Sequence, residues 1–349
     1  MNNILLLTDK LKTGGAEMYF CKLENHLRDE WLTVYAAAGP GELYDQIQNK
    51  RYFIPISSKN HIANLYVLMK QIASLNIDVI HANSLRMLLY AIVIKRVSRR
   101  NLKLVYTKHN ITILEKKAPL MFTKMLNDHV NQIITVSHFE KENLAQFGIR
   151  DERIRTIYSG VDIAQFSFQP KKKKETFHVG ILARLSAEKN HALFLRIANE
   201  FRDMDHVMFH IAGDGPERTS IKKMIDELHL HHKVKIHGNL SDPYEFICTM
   251  DVLLLTSLRE VFPMVVLEAM ASGTPIVSVD VGGIKEAIVN HETGFLISQH
   301  SEKEFAGKIK LLLDDEKLRH VLVTTAREKV ERSFSLSNMI HSTSEIYQG

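Results

Sequence analysis

Residues 251–279, DVLLLTSLREVFPMVVLEAMASGTPIVSV, decide the fold. An unbroken apolar run of strand length ends at Thr256-Ser257, and a loop then carries Arg259 and Glu260. A helix opens around Pro263, a residue favoured at the first helical position, and TPIVSV is apolar and strand-like again. Strand, helix and second apolar strand make one step of a parallel α/β sheet, whose strands read as continuous apolar runs because both faces are buried. The same alternation extends in both directions. FHVGILA, VMFHIAG and VKIHG precede this unit in the second half of the chain. NILLLT, WLTVYAA, RYFIP, DVIHA, LKLVYT, QIITVS and RIRTIY fill the first half. Between the two series lie Ser159-Gly160-Val161-Asp162, a turn, and the solvated run Lys171-Lys172-Lys173-Lys174. The expectation is therefore α/β, with two doubly wound Rossmann-like domains, residues 1–168 and 169–334, and a terminal helical segment at 335–349. The carboxyl ends of both sets of strands would border one cleft, the place where open α/β sheets take ligands.

Composition narrows the function. The 349 residues are 45% apolar and 24% charged, enough for packed cores and incompatible with a disordered chain. Cys21 and Cys248 are too few for a disulfide scaffold and too far apart for a metal knuckle, which fits a reducing cytoplasm. Met87 to Ile94 is the longest apolar run, far short of the ~20 residues that cross a bilayer, and MNNILLLTDK lacks the leading positive charge of a signal peptide. The net charge of +5 is unevenly distributed. From residue 85 to 125, Arg86, Lys95, Arg96, Arg99, Arg100, Lys103, Lys108, Lys116, Lys117 and Lys124 face Glu115 alone, which leaves the remainder slightly acidic. No interleaved aromatic pattern accompanies these cations, which argues against nucleic acid.

The strand ends carry the chemistry. Gly14-Gly15 follows the first strand and precedes a helix beginning near Ala16, a backbone that lets amides approach an anion, but it lacks the G-x-G-x-x-G of a dinucleotide site. Gly213 opens the AGDGP loop, equally short of that fingerprint. Arg184 and Lys189 follow FHVGILA, and a guanidinium fork beside a point charge suits a diphosphate. Glu260 sits before the helix near Pro263 and Glu268 about one turn into it, so the two carboxylates should serve different ends of one ligand, with the amides of Met264 and Val265 facing an anion. At 1.5 Å per residue they are about 10 Å apart or more, too far for the ~5–5.5 Å pair of a retaining glycosidase. Asp203-Met204-Asp205 precedes a strand, at the wrong end of the sheet for a metal beside a substrate, and His229, His231 and His232 read as a helix C-terminus. No metal and no cofactor are expected.

With TGGAE, DVIHANS, ITVSHFEKENL, IYSGVDIAQF, ARLSAEKN, AGDGPER, HGNLSDPYEF and the E-x7-E segment running on to Gly282-Gly283-Ile284-Lys285-Glu286, the chain resembles the retaining glycosyltransferases of family 4, which have the GT-B architecture. The resemblance implies that the terminal helix returns to the first domain and that a sugar passes from a nucleoside diphosphate sugar, UDP-sugar favoured, to a lipid-linked, cell-envelope or polymer acceptor. It implies that Arg184 and Lys189 hold the diphosphate and that Glu268 accepts from the ribose hydroxyls. Glu260, with Phe262, Pro263, Met264 and Val265, would contact sugar and phosphate. Gly14, Gly15 and Gly213 would border the donor, His109 would line the sugar site, and Gly238-Asn239-Leu240 would meet the base. Ala183, Asn190, Val261, Pro263 and Ser159 depart from common family residues without removing a charge. Two alternatives share the architecture: a nucleotide-sugar 2-epimerase, and a non-catalytic nucleotide-sugar-binding homologue. Because many relatives act on membrane-borne acceptors, residues 86–124 are expected to dock on an anionic membrane surface, on the cytoplasmic side.

Overall fold

The computed structural model describes residues 2–27, 31–169, 171, 175–240 and 242–348. Two compact units emerge, Met1–Ser159 with Leu336–Gly349, and Gly160–Ser335. The division falls upstream of the lysine run. Lys172, Lys173 and Lys174 lie outside the described residues, and Lys171 is no free linker cation: its Nζ donates to the Cys248 carbonyl at 2.7 Å.

The first unit holds seven strands, β1 (Asn2–Lys10), β2 (Leu32–Gly39), β3 (Phe53–Pro55), β4 (Val79–Ala82), β5 (Lys103–Lys108), β6 (Gln132–Thr135) and β7 (Ile154–Thr156). They are parallel and ordered β3-β2-β1-β4-β5-β6-β7. The second unit holds β8 (Phe177–Leu182), β9 (Val207–Ala212), β10 (Val234–Gly238), β11 (Val252–Leu255), β12 (Ile276–Val279) and β13 (Phe295–Ile297). These are also parallel, ordered β10-β9-β8-β11-β12-β13. Twelve strands fall on the apolar runs read from the sequence. The thirteenth, Phe295-Leu296-Ile297, was not read from the sequence: its apolar run is cut short by Gly294 before it and the polar Ser298-Gln299 after it.

Helices cover both faces of each sheet, which is why Val252–Leu255 and Ile276–Val279 are buried throughout. Each such aliphatic side chain contributes about 1.5–3 kcal/mol by leaving water. The helix Leu336–Gln348 completes the first unit: Leu336, Met339, Ile346 and Tyr347 join the core made by Ile4, Leu6, Tyr19 and Phe20. There the buried His81 bridges the Tyr347 hydroxyl at 2.5 Å and the Thr107 hydroxyl at 2.6 Å. Burial, reinforced by His109, pulls the His81 pKa down to about 3, so the imidazole stays neutral.

In each sheet the strand order reverses once, between β1 and β4 and between β8 and β11. Ligands of doubly wound sheets sit beyond the carboxyl ends of strands at such a reversal.

Candidate active site

In the second unit the reversal brings two distant segments together. Beyond β8 the chain passes the exposed Arg184 and a short 3-10 turn, Ala187–Lys189. Beyond β11 it passes Thr256-Ser257 into the loop bearing Glu260. Lys189 Nζ lies 2.5 Å from Glu260 Oε1, and the Ser257 hydroxyl donates to that same oxygen at 2.7 Å. The Thr256 hydroxyl donates to the Lys189 carbonyl at 2.9 Å, and the Leu258 amide to that of Glu188 at 2.8 Å. Lysine and glutamate are thus held in one rigid cluster, with the Glu260 side chain only 10% exposed.

The glycines here are dictated by crowding. Gly282 has φ +63°, and a Cβ there would come within 1.7 Å of the Glu260 carbonyl oxygen. Gly213, at φ +126°, would meet the Ala183 carbonyl at 2.0 Å. Asn190 has a left-handed backbone (φ 52°, ψ 52°), a conformation asparagine tolerates, and its side chain caps the following helix by accepting from Leu193 N. That helix, His191–Asn199, opens on a buried histidine whose pKa falls to about 4 through burial and then the Lys189 charge.

The glutamate helix runs Met264–Ser272, one residue later than expected. Pro263 is its N-cap, with ψ 124° outside the helical range, and its carbonyl accepts from Val266 N at 3.2 Å. The amides of Met264 and Val265 stand in the first turn, where no intrahelical acceptor exists. Glu268 is the fifth helical residue, partly buried. The Phe262 ring packs against Phe334, 5.6 Å between centroids. Gly238 has φ +75°, and its carbonyl accepts from Gly213 N at 2.7 Å, which draws Gly238-Asn239-Leu240 to the Gly213 loop.

In the first unit the helix starts at Gly15, with Gly14 as N-cap. Its first turn already carries a carboxylate: a Cβ on Gly14 would lie 2.5 Å from Glu17 Oε2. Burial raises the Glu17 pKa, its own backbone hydrogen bond opposes this, and Asp9 adds to the rise. The site at Gly14-Gly15 is therefore less anion-seeking than the glycines alone suggest. His109, just after β5, has Nε2 2.7 Å from Asn83 Oδ1, while Asn83 Nδ2 donates to the Ala16 carbonyl at 2.6 Å. The second bond orients the amide, so Nε2 carries the proton and Nδ1 is left as an acceptor. Desolvation brings the His109 pKa to about 3, which makes the ring a neutral hydrogen-bond acceptor and a poor proton donor. Asn83 was not singled out in the sequence, although its place just past β4 at the strand reversal could have marked it.

The basic segment does not form one face. Lys108 is fully buried between Glu115, at 3.1 Å, and Glu140. Lys103 donates to the Ile346 carbonyl, Arg100 to that of Ile72, and Arg86 lies 3.4 Å from Asp9. Asp203 and Asp205 precede β9, at the sheet end opposite the site, and His231 pairs with Asp226 just past a helix end. Among the described residues no group of three or more metal-ligating side chains converges.

Sequence and structure comparisons bear on the fold and the family. The profile "Glycosyltransferase Family 4" matches residues 13–165, and "Glycosyl transferases group 1" matches 162–329. The chain is 25% identical to N-acetyl-alpha-D-glucosaminyl L-malate synthase of Bacillus anthracis, over 98% of this chain and 91% of that enzyme. It is 24% identical to the phosphatidylinositol N-acetylglucosaminyltransferase gpi3 subunit of Schizosaccharomyces pombe, over 78% of this chain and 61% of the relative. Anabaena HepE, solved with UDP-glucose, superposes with a TM-score of 0.86 over 99% of both chains at 22% identity. The two profiles together run from residue 13 to residue 329, and the chain is a GT-B glycosyltransferase related to family 4 and the group 1 glycosyl transferases.

Proposed function

We propose that this protein transfers a sugar with retention, and without a metal, from a nucleoside diphosphate sugar to a hydroxyl of a lipid-linked or cell-envelope glycan acceptor, UDP-sugar being the favoured donor. The observation that carries the reading is the Lys189–Glu260–Ser257 cluster at the strand reversal of the second sheet, on the loops that follow Arg184 and lead into the helix opened by Met264 and Val265. Preorganised cations and helix N-terminal amides stabilise a departing diphosphate without a proton donor. The bond from the anomeric carbon to phosphate breaks with its electron pair going to the diphosphate. The acceptor oxygen bonds to the same face of that carbon, and its proton passes to the leaving phosphate oxygen. Glu260 is not a nucleophile in this scheme, since its Oε1 is already engaged by Lys189 and Ser257. Glu268 receives the ribose hydroxyls, Gly238-Asn239-Leu240 the base, and His109 Nδ1 a sugar hydroxyl. HepE was solved with UDP-glucose, and the gpi3 relative is named for a lipid acceptor, which supports donor and acceptor class in turn.

A thermal-shift panel of UDP-, GDP- and ADP-sugars tests the donor. The UDP-sugars should raise Tm most, by the equivalent of about 2.7 kcal/mol at a hundredfold excess over Kd, and Glu268→Ala should weaken UDP binding in calorimetry. Indifference to all three nucleotides would refute the donor site. Isomerised donor appearing without any acceptor would instead assign the site to an epimerase.

We also propose peripheral attachment to an anionic bilayer on the cytoplasmic side, narrowed within residues 86–124 to the exposed side chains of 113–124. No helix among the described residues is long and apolar enough to cross a membrane. Ile113, Leu120 and Met121 are 74%, 85% and 58% exposed, beside the exposed Lys116, Lys117 and Lys124. Each lysine contributes roughly 1 kcal/mol near anionic lipid. Co-sedimentation with vesicles should rise with anionic lipid, fall with salt and drop in Leu120→Glu; binding indifferent to lipid charge and salt would sink the idea.

A further inference from the structure

Three histidines outside the cluster just described form one row across the second sheet. His178 on β8, His210 on β9 and His237 on β10 occupy neighbouring strands, with His178 Nδ1 2.9 Å from His210 Nε2 and His210 Nδ1 3.0 Å from His237 Nε2. The register sets His210 beside Gly180 and Lys235. The row ends one residue before Gly238, where the backbone turns left-handed and bonds to the Gly213 loop.

We propose that this imidazole row positions the Gly238-Asn239-Leu240 loop, holds at most one extra proton, and releases the loop when it takes up a second. The proposal rests on the nucleotide reading above and deepens it. The limit follows from counting protons. Each N···N contact needs one proton, so the four facing nitrogens hold two between them, and the outer nitrogens of His178 and His237 hold at most two more. Three neutral imidazoles already carry three protons. A fourth fits with both contacts intact, and a fifth sets N–H against N–H. The surroundings bias where the fourth resides. Burial, and then Lys235, lower the His237 pKa. At the other end Asp251 Oδ2 accepts from the His178 amide at 2.8 Å, which favours a cation there. The helix Pro243–Thr249 lays Phe246 edge-on against His237 at 5.5 Å and carries the exposed Glu245 and the half-buried Cys248, to whose carbonyl Lys171 donates.

The test uses the full chain with UDP as probe. With the titration of UDP's own terminal phosphate subtracted, calorimetric affinity should hold while the row carries one extra proton and fall about tenfold once it takes up the second, the worth of one positioned hydrogen bond. His210→Phe, which keeps the ring and removes both contacts, should lose about tenfold at pH 7.5 and flatten the pH profile. His178→Phe leaves the His210–His237 contact and should stay within about twofold of the unsubstituted chain at pH 7.5. Histidine NMR should show the three rings titrating as a coupled set that His210→Phe abolishes. A folded His210→Phe protein with unaltered UDP affinity and pH profile overturns the positioning role. Three independent titrations overturn the row itself, whether or not UDP binds. Failure of the unsubstituted chain to bind UDP overturns the nucleotide reading and the positioning role with it, while the titration still decides the row.

Discussion

Lys189→Ala is expected to lower kcat/KM by roughly 10²–10³-fold, the cost typical of losing one preorganised group that meets charge developing in the transition state. Two effects act in the same direction. On the proposed reading the diphosphate loses a cation fixed by its turn and by the Thr256 bond to its carbonyl. Glu260, no longer neutralised at 2.5 Å, then presents an uncompensated carboxylate to an anionic donor. Lys189→Arg should recover only part of the rate, because a planar fork cannot replace a point charge seated against one carboxylate oxygen. Steady-state kinetics with the donor found in the thermal-shift panel decide the matter, and a change under about threefold would remove Lys189 from the site.

Lys108→Met is expected to destabilise the first unit by about 3–5 kcal/mol, since it strands buried carboxylates that have lost their counter-charge. Glu115 and Glu140 are 4% and 0% exposed, and Glu140 Oε2 has no hydrogen-bond partner among the described residues. Trp31 is the sole tryptophan and packs against the first unit's core, so its fluorescence in a denaturant titration reports this unit. Combining Lys108→Met with Glu115→Gln and Glu140→Gln should return part of the loss, as neutral groups of similar shape are far cheaper to bury than unpaired charges. Equal midpoints for Lys108→Met and the unsubstituted chain would mean that the ion cluster contributes nothing net.

What could be read from the sequence followed the range of the interactions involved. Strands declared themselves through local apolar runs, and the positions after them were picked out because ligands collect there. What the sequence did not reveal was which strand ends are neighbours. Lys189 and Glu260 are 71 positions apart and touch only because β8 and β11 are adjacent. Lys108 looked like one surface cation among ten; its burial depends on Glu115 and on Glu140, which arrives from beyond β6. The row from His178 to His237 is equally non-local, set by the register of three strands. Pro263 fell one place outside the helix because its carbonyl, not its ring, starts the hydrogen-bond ladder.

The return of Leu336–Gln348 to the first sheet has a consequence for how the protein is made. Synthesis runs from the amino to the carboxyl end, so β1 to β7 are extruded long before Tyr347 exists to cover His81 and seal the core around Ile4, Leu6 and Phe20. The stretch Gly160–Ser335 has no such debt and can acquire its core while the ribosome is still at work. The half of the protein translated first is therefore the last to be completed. Until then its open face, lined by Tyr19, Phe20 and Met18, is the apolar surface a nascent-chain chaperone would meet.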